Sequence, residues 1–95
     1  MQKLMAMKML QRVTHQIQPM VASRVVWLPV IPVPGTTVRL AKSSPVVDEI
    51  HLIDGSDEVV LKMRNRNSAF KMDEGRFAGY CEKIRQEGWD VREDV

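Results

Sequence analysis

The chain has too few cysteines and histidines for several common kinds of small protein. Cys81 is its single cysteine among 95 residues, so no intrachain disulfide can form and the chain is not a disulfide-stapled scaffold. The two histidines, His15 and His51, lie far apart in sequence and do not have the spacing of zinc ligands. We therefore expect no metal site and no cofactor.

Long hydrophobic runs and aromatic residues are also scarce. No uncharged apolar stretch approaches the roughly 18 residues that a membrane span requires, and prolines interrupt the most apolar stretch, 25–35. We therefore expect no transmembrane segment. Aromatic residues make up only 5% of the chain, so a core must rely on Val, Ile, Leu and Met.

Catalytic motifs are missing from the sequence as well. There is no Gly-x-Ser-x-Gly, no phosphate-binding loop and no Gly-x-Gly-x-x-Gly. Cys81 falls on the apolar side of a predicted helix, which favours packing over nucleophilic chemistry. The oxygen-rich run "DGSD" (54–57) fits a turn better than a calcium loop. These observations predict a protein that is not an enzyme and has no small-molecule substrate.

Acidic residues are absent from the first half of the chain. Residues 1–47 hold six Lys/Arg and no Asp/Glu, a net charge of +6, whereas residues 48–95 hold eight Lys/Arg and twelve Asp/Glu, a net charge of −4. Such an asymmetry indicates a basic segment that contacts something negative or that directs targeting.

The basic N-terminal segment, 1–24, predicts an amphipathic helix. At 100° per residue one face collects the apolar residues Met9, Leu10, Val13, Ile17 and Met20. A basic, acid-free amphipathic helix is typical of a mitochondrial transit peptide, with processing expected after Arg12 or Arg24. Two alternatives stay open: a helix packed within the fold or an assembly, and a helix lying on RNA or an anionic membrane. The targeting or assembly residues are Lys3, Lys8, Arg12 and Arg24.

The rest of the chain predicts an extended Pro-rich segment, 25–45, followed by a small α+β domain, 46–95. Two β-rich runs joined by "DGSD" predict a hairpin over about 46–65. A helix is expected over about 73–87, with Asp73 as N-cap, Gly88 after its end, and an apolar stripe of Phe77, Tyr80 or Cys81, and Ile84. The predicted fold is thus α+β: a small antiparallel sheet with a central hairpin and one covering C-terminal helix, preceded by the N-terminal helix.

The stretch "VVLKMRNRN" (59–67) alternates apolar with basic residues. In a strand, Lys62, Arg64 and Arg66 share one face, and Phe70 in the following loop is positioned to stack on a base. The alternative is an ordinary solvated face opposite a buried Val/Leu/Met face. The candidate nucleic-acid-binding residues are Lys62, Arg64, Arg66, Lys71, Arg39 and Lys42.

Together these features predict a non-catalytic small subunit of a large mitochondrial assembly. The best single case is a mitochondrial ribosomal protein on the matrix side, contacting ribosomal RNA and neighbouring protein subunits. Two alternatives are an accessory subunit of a respiratory or ATP-synthase complex, and a small bacterial or phage-type binding domain that would be cytoplasmic.

Overall fold

A computed structural model describes residues 3–94 as one five-stranded sheet with a single helix on one side. The elements follow in the order β1 (Met5–Val13), β2 (Met20–Leu28), β3 (Val47–Leu52), β4 (Val59–Met63), α1 (Glu74–Gln86) and β5 (Asp90–Glu93).

The strands lie side by side in the order β3-β4-β1-β2-β5. β1 pairs with β2 in antiparallel fashion over its whole length, and with β4 in parallel fashion. The remaining neighbours, β3 with β4 and β2 with β5, are antiparallel. The N-terminal strand therefore lies at the centre of a mixed sheet, and the edges are β3 and β5.

Strict alternation explains why the N-terminal segment forms strands. Met7, Met9 and Val13 are buried, whereas Lys8 and Arg12 between them are exposed. This period of two places one set of side chains on each face of the sheet. β2 buries Met20, Ala22 and Val26 on the same face, completing a long hairpin.

The prediction of an N-terminal amphipathic helix over 1–24 is wrong for the described residues of that segment; residues 1 and 2 lie outside them. The predicted apolar helix face arose because Met9, Val13 and Met20 fit the helical period of 3.6 residues and are also buried on one face of the sheet. Leu10 and Ile17 do not: Leu10 is half-buried on the other side of the sheet, and Ile17 is 66% exposed in the β1–β2 turn. Pairing with two neighbouring strands satisfies the backbone hydrogen bonds of β1 and outweighs its local helix propensity.

The predicted small antiparallel sheet is also wrong, because the sheet is mixed. The long connection 29–46 returns the chain along the sheet, so that the β3–β4 hairpin docks with β4 parallel to β1. In the parallel pair of β1 and β4, Lys8 lies opposite Val60 and Leu10 lies opposite Lys62. Hydrogen bonds from Arg66 N to Arg12 O and from Thr14 N to Arg66 O continue this pairing beyond β4. A parallel pair requires such a long connection, which no local pattern predicts.

The predicted hairpin and C-terminal helix are both present within this different sheet. β3 and β4 form the hairpin, with Gly55 at φ 76° in its turn. Asp73 caps α1 by accepting a hydrogen bond from Arg76 N at 2.9 Å, and Gly88 follows the helix at φ 101°, a conformation that favours glycine. The buried stripe of α1 is Phe77, Cys81 and Ile84.

The core lies between α1, the 29–46 connection and one face of the sheet. Val38 of the connection and Trp89, just after α1, are buried there together with the apolar residues of the strands. His15 is also buried, with its ring stacked on Phe77 at 3.9 Å and its Nε2 2.8 Å from Met72 O. The opposite face of the sheet has no covering element among residues 3–94.

Candidate nucleic-acid interface

The uncovered face of the sheet, called the open face below, is formed by alternate residues of all five strands. Its middle rows are His51–Val60–Lys8–Val25 and Glu49–Lys62–Leu10–Ser23–Asp90, read across the sheet. Leu10, Val21 and Val60 are half-buried and give this face an apolar floor. A shallow depression of about 570 Å³ lies over that floor, and its lining includes Leu10, Val60 and Lys62.

Two lysines stand next to each other at the centre of this face. Lys8 lies opposite Val60, and Leu10 lies opposite Lys62, so the lysines are one strand apart and two residues along. This corresponds to about 4.8 Å across and about 6.6 Å along the strands. Both are exposed, and neither forms an ion pair within residues 3–94.

Other charges on and around the open face are paired locally. Arg12 forms an ion pair with Asp94, and Arg92 Nε lies 2.8 Å from Asp90 Oδ2. At the other edge, His51 Nε2 lies 3.0 Å from Glu49 Oε2. Asp90 and Asp94 thus have arginine partners, whereas Glu49 lies directly opposite Lys62 and offsets part of its charge. Lys8 and Lys62 remain the two basic groups at the centre of the open face that form no ion pair among residues 3–94.

An exposed tryptophan extends this face toward one end of the sheet. Trp27 lies opposite Ala6, in the row beyond Lys8 and Val25, and is 63% exposed. An indole this accessible beside a lysine provides a flat surface for base stacking. The open face thus combines an apolar floor, an exposed aromatic ring and two lysines that form no ion pair among the described residues.

The predicted basic stripe of Lys62, Arg64 and Arg66 does not lie on one face. Lys62 is on the open face, and Arg64, just beyond β4, is exposed with Nε 4.0 Å from Asp48 Oδ1. Arg66 projects to the helix-covered side, where its Nε donates to Gln11 Oε1 at 2.6 Å. Since Lys62 is opposite Leu10 but Arg66 is opposite Val13, one extra residue lies between them and reverses the alternation.

The remaining predicted residues are spread over the molecule. Lys71 is exposed beside a shallow depression that Phe70 also lines, while Arg39 and Lys42 are exposed in the connection that packs Val38 into the core. Lys3 is exposed just before β1. Arg24 lies on the covered side, with its guanidinium 5.7 Å from the Trp89 ring centroid. Of the predicted candidates, the structure brings Lys8, Arg12 and Lys62 together on the open face.

The sequence patterns do not indicate a role for Trp27 or the proximity of Lys8 to Lys62. Lys8 was assigned to a helix, and its neighbour across the sheet is more than fifty residues away in the chain. The alternation of Met5, Met7 and Met9 with Ala6 and Lys8 is the signal that could have indicated a strand with Lys8 outward.

The single thiol of the chain is buried and packs within the core. Cys81 is buried on α1, and this burial raises the pKa of its thiol, an effect that nearby Arg85 partly offsets. No cluster of three or more His, Cys, Asp or Glu suited to a metal ion occurs in the described part of the chain. Between residues 3 and 94, no helix has the length and apolar character needed to cross a membrane.

Comparisons with known proteins give no family assignment. No family model, no curated protein and no solved structure matches this chain.

Proposed function

We propose that this chain is a non-catalytic subunit that contacts single-stranded RNA through the open face of its sheet while neighbouring proteins hold it in a larger assembly. The observation that carries the proposal is the Lys8–Lys62 pair at the centre of that face, exposed and without an ion-pair partner among the described residues.

The chemistry of the open face suits a negatively charged, flat and flexible ligand. Two lysines supply positive charge for phosphates. The half-buried side chains of Leu10 and Val60, which lie next to the lysines, supply a nonpolar surface for sugars and bases. Trp27 offers its ring for stacking at the end of the same surface. A single strand has unstacked bases available for such contacts, whereas a duplex presents mainly its backbone.

A surface for protein neighbours is also present. Large apolar side chains are exposed where β1 begins and where β3 ends, and Leu4 and Leu52 are each more than half exposed. Large exposed apolar side chains at one end of a sheet provide a surface for a protein neighbour. This feature supports the assembly part of the proposal, and also the second candidate, an accessory subunit of a respiratory or ATP-synthase complex that binds only proteins.

The mitochondrial location remains a prediction. The helix that suggested import is replaced by β1 and β2, and cleavage after Arg12 or Arg24 would remove most or all of the central strand and part of its partner. If the chain is mitochondrial, we therefore expect residues 3–28 to stay in the working protein.

The experiment that tests RNA contact is fluorescence anisotropy with a labelled single-stranded RNA over a series of salt concentrations. Lys8→Gln with Lys62→Gln removes two charges from the open face. If both contact phosphates, the slope of log affinity against log salt should become shallower by about 1.4.

The matched control is Arg76→Gln with Lys83→Gln, which removes two charges from exposed positions on α1, on the other side of the sheet. It should keep the wild-type slope. Equal losses in both double variants would mean that binding follows net charge alone, and the proposal of a defined RNA surface would fail. Retention of the wild-type slope by the open-face variant would exclude it directly.

A further inference from the structure

The most unusual polar arrangement in the molecule lies on the covered side of the sheet, around Arg66. Its Nε donates to Gln11 Oε1 at 2.6 Å, and Gln11 Nε2 donates to Arg64 O at 2.8 Å. Gln11 is only 5% exposed, so its amide is fixed by these two bonds. The guanidinium of Arg66 is therefore held by one edge.

The Trp89 ring lies against the same guanidinium. Arg66 Cζ lies 5.5 Å from the Trp89 ring centroid, and the indole is 3% exposed. A guanidinium held over an aromatic face and by its Nε loses little further freedom when its terminal N–H groups bind a ligand.

The terminal N–H groups of Arg66 have no carboxylate partner. Among residues 3–94, Arg66 forms no ion pair, and the Gln11 bond is the one hydrogen bond found for its side chain. A half-buried arginine with its fork unoccupied is a receptor for an oxyanion, because its parallel N–H groups match two oxygens of one ligand.

A depression of about 290 Å³ next to Arg66 supplies further donors and no acid. Its lining comprises Gln11, Ser43, Ser44, Pro45, Arg66, Asn67, Ser68 and Tyr80. Ser68 Oγ lies 3.3 Å from Tyr80 Oη. Asn67 Oδ1 accepts from Thr14 Oγ1 at 2.7 Å, which leaves the Asn67 amide N–H₂ as donors.

We propose that this depression binds a phosphate group, as the free dianion or as a small phosphate monoester. The donors comprise the arginine fork, the hydroxyls of Ser43 and Ser44, one of the two hydroxyl protons of the Ser68–Tyr80 pair, and the Asn67 amide. A carboxylate has two oxygens and would leave several of these donors without acceptors, whereas a phosphate monoester offers three oxygens in a tetrahedral arrangement. The site lies on the opposite side of the sheet from Lys8 and Lys62, so it does not depend on the RNA proposal.

The test follows the indole N–H resonance of Trp89 in the full chain. The chain has two tryptophans, so a Trp27→Phe background leaves Trp89 as the single indole signal. Inorganic phosphate is titrated against chloride at equal ionic strength, and phenyl phosphate is titrated in a second series. We expect a saturable shift with phosphate and none with chloride. Tighter binding of phenyl phosphate would assign the site to an organic monoester, and equal binding would assign it to phosphate itself.

Three variants make the site assignment specific. Arg66→Lys keeps the charge but removes the fork and should weaken phosphate by about tenfold. Ser68→Ala leaves the contacts of Arg66 with Gln11 and Trp89 in place, so it should fold normally and weaken binding by a few fold. Lys62→Gln, on the open face, should bind phosphate as the parent does.

Two results would overturn the proposal. One is a Trp89 signal that responds to chloride as much as to phosphate. The other is unchanged phosphate affinity in Ser68→Ala and Arg66→Lys, with folding of both confirmed by thermal melts.

Discussion

The two faces of the central strand differ in almost every physical property although they alternate residue by residue. Met7, Met9 and Val13 of β1 lie at 2%, 0% and 0% exposure beneath the helix and the 29–46 connection. Lys8 and Arg12, their neighbours in the chain, are exposed on the open face. The covered face carries the stability of the fold, and the open face is free to carry charge for a ligand.

Because the two faces differ in this way, substitutions on them should separate folding from binding. On the covered face a side chain is in contact with the core, so a change in it costs folding free energy. On the open face the same change alters the surface and leaves the core intact. Adjacent positions on one strand therefore serve as matched pairs.

The largest expected difference is between Leu61 and Lys62 of β4. Leu61 is 0% exposed, so Leu61→Asp should lower the free energy of unfolding by about 5 kcal/mol, because it leaves an unpaired charge and a gap in the core. Lys62→Asp, one residue along on the open face, should change it by about 0.5 kcal/mol. Urea denaturation followed by circular dichroism measures both. A native-like Leu61→Asp protein would show that the strand faces the other way.

The two tryptophans give the second contrast. Trp89→Ala should cost about 3 to 5 kcal/mol of stability, because the indole fills the core between Arg24 and Arg66. Trp27→Ala should leave stability nearly unchanged and weaken RNA binding by about 1 to 3 kcal/mol through lost stacking. Thermal melts and anisotropy on both variants measure the two effects. If both variants fold and neither loses RNA affinity, Trp27 does not contribute to RNA binding.

Gln11 and Arg12 form a third matched pair. Gln11→Leu removes the partner of both Arg66 Nε and Arg64 O and should cost about 1 to 3 kcal/mol. Arg12→Leu removes a partly exposed ion pair with Asp94 and should cost at most about 1 kcal/mol. Comparing the denaturant midpoints of the two variants tests the order. A larger loss for Arg12→Leu would reverse the assignment of the two faces.

The smallest expected effect concerns the pH dependence from Cys81. Burial raises the pKa of its thiol above the ordinary value of 9.0, so above pH 9.0 the unfolded chain loses this proton before the folded chain does. Its contribution to stability is fully present below pH 9.0 and is lost as pH rises through the folded pKa. Cys81→Ala should therefore lose less stability than the parent as the pH is raised above 9.0. Equal losses in the two proteins would contradict the buried, protonated thiol.

The C-terminal half was predictable because its signals are local. The Asp73 cap, the Phe77–Cys81–Ile84 stripe and Gly88 specify α1 within a short window, and the Gly55 turn specifies the β3–β4 hairpin. The placement of β1 was not predictable in the same way. Its residues satisfy a helical period in part, and its pairing with β4 spans more than fifty residues.

The candidate site was only partly predictable for the same reason. The local alternation of apolar and basic residues places Lys62 on the outer face. The extra residue that turns Arg66 to the covered face is visible only in the register of this segment against β1. Trp27 is a candidate for stacking only because the sheet places it in the row next to Lys8 and Val25. Long-range register, which local sequence patterns do not encode, decides which side chains share a surface.

The open-face assignment is tested by an NMR titration of the isotope-labelled chain with a single-stranded RNA that carries no terminal phosphate, following both indole N–H signals together with the amides of β1 and β4. We predict that the Trp27 indole and the amides around Lys8 and Lys62 shift with saturation, while the Trp89 indole and α1 stay in place. Shifts centred on α1 or on Trp89, or no shift at low salt, would contradict the assignment of the open face as the RNA-contacting surface.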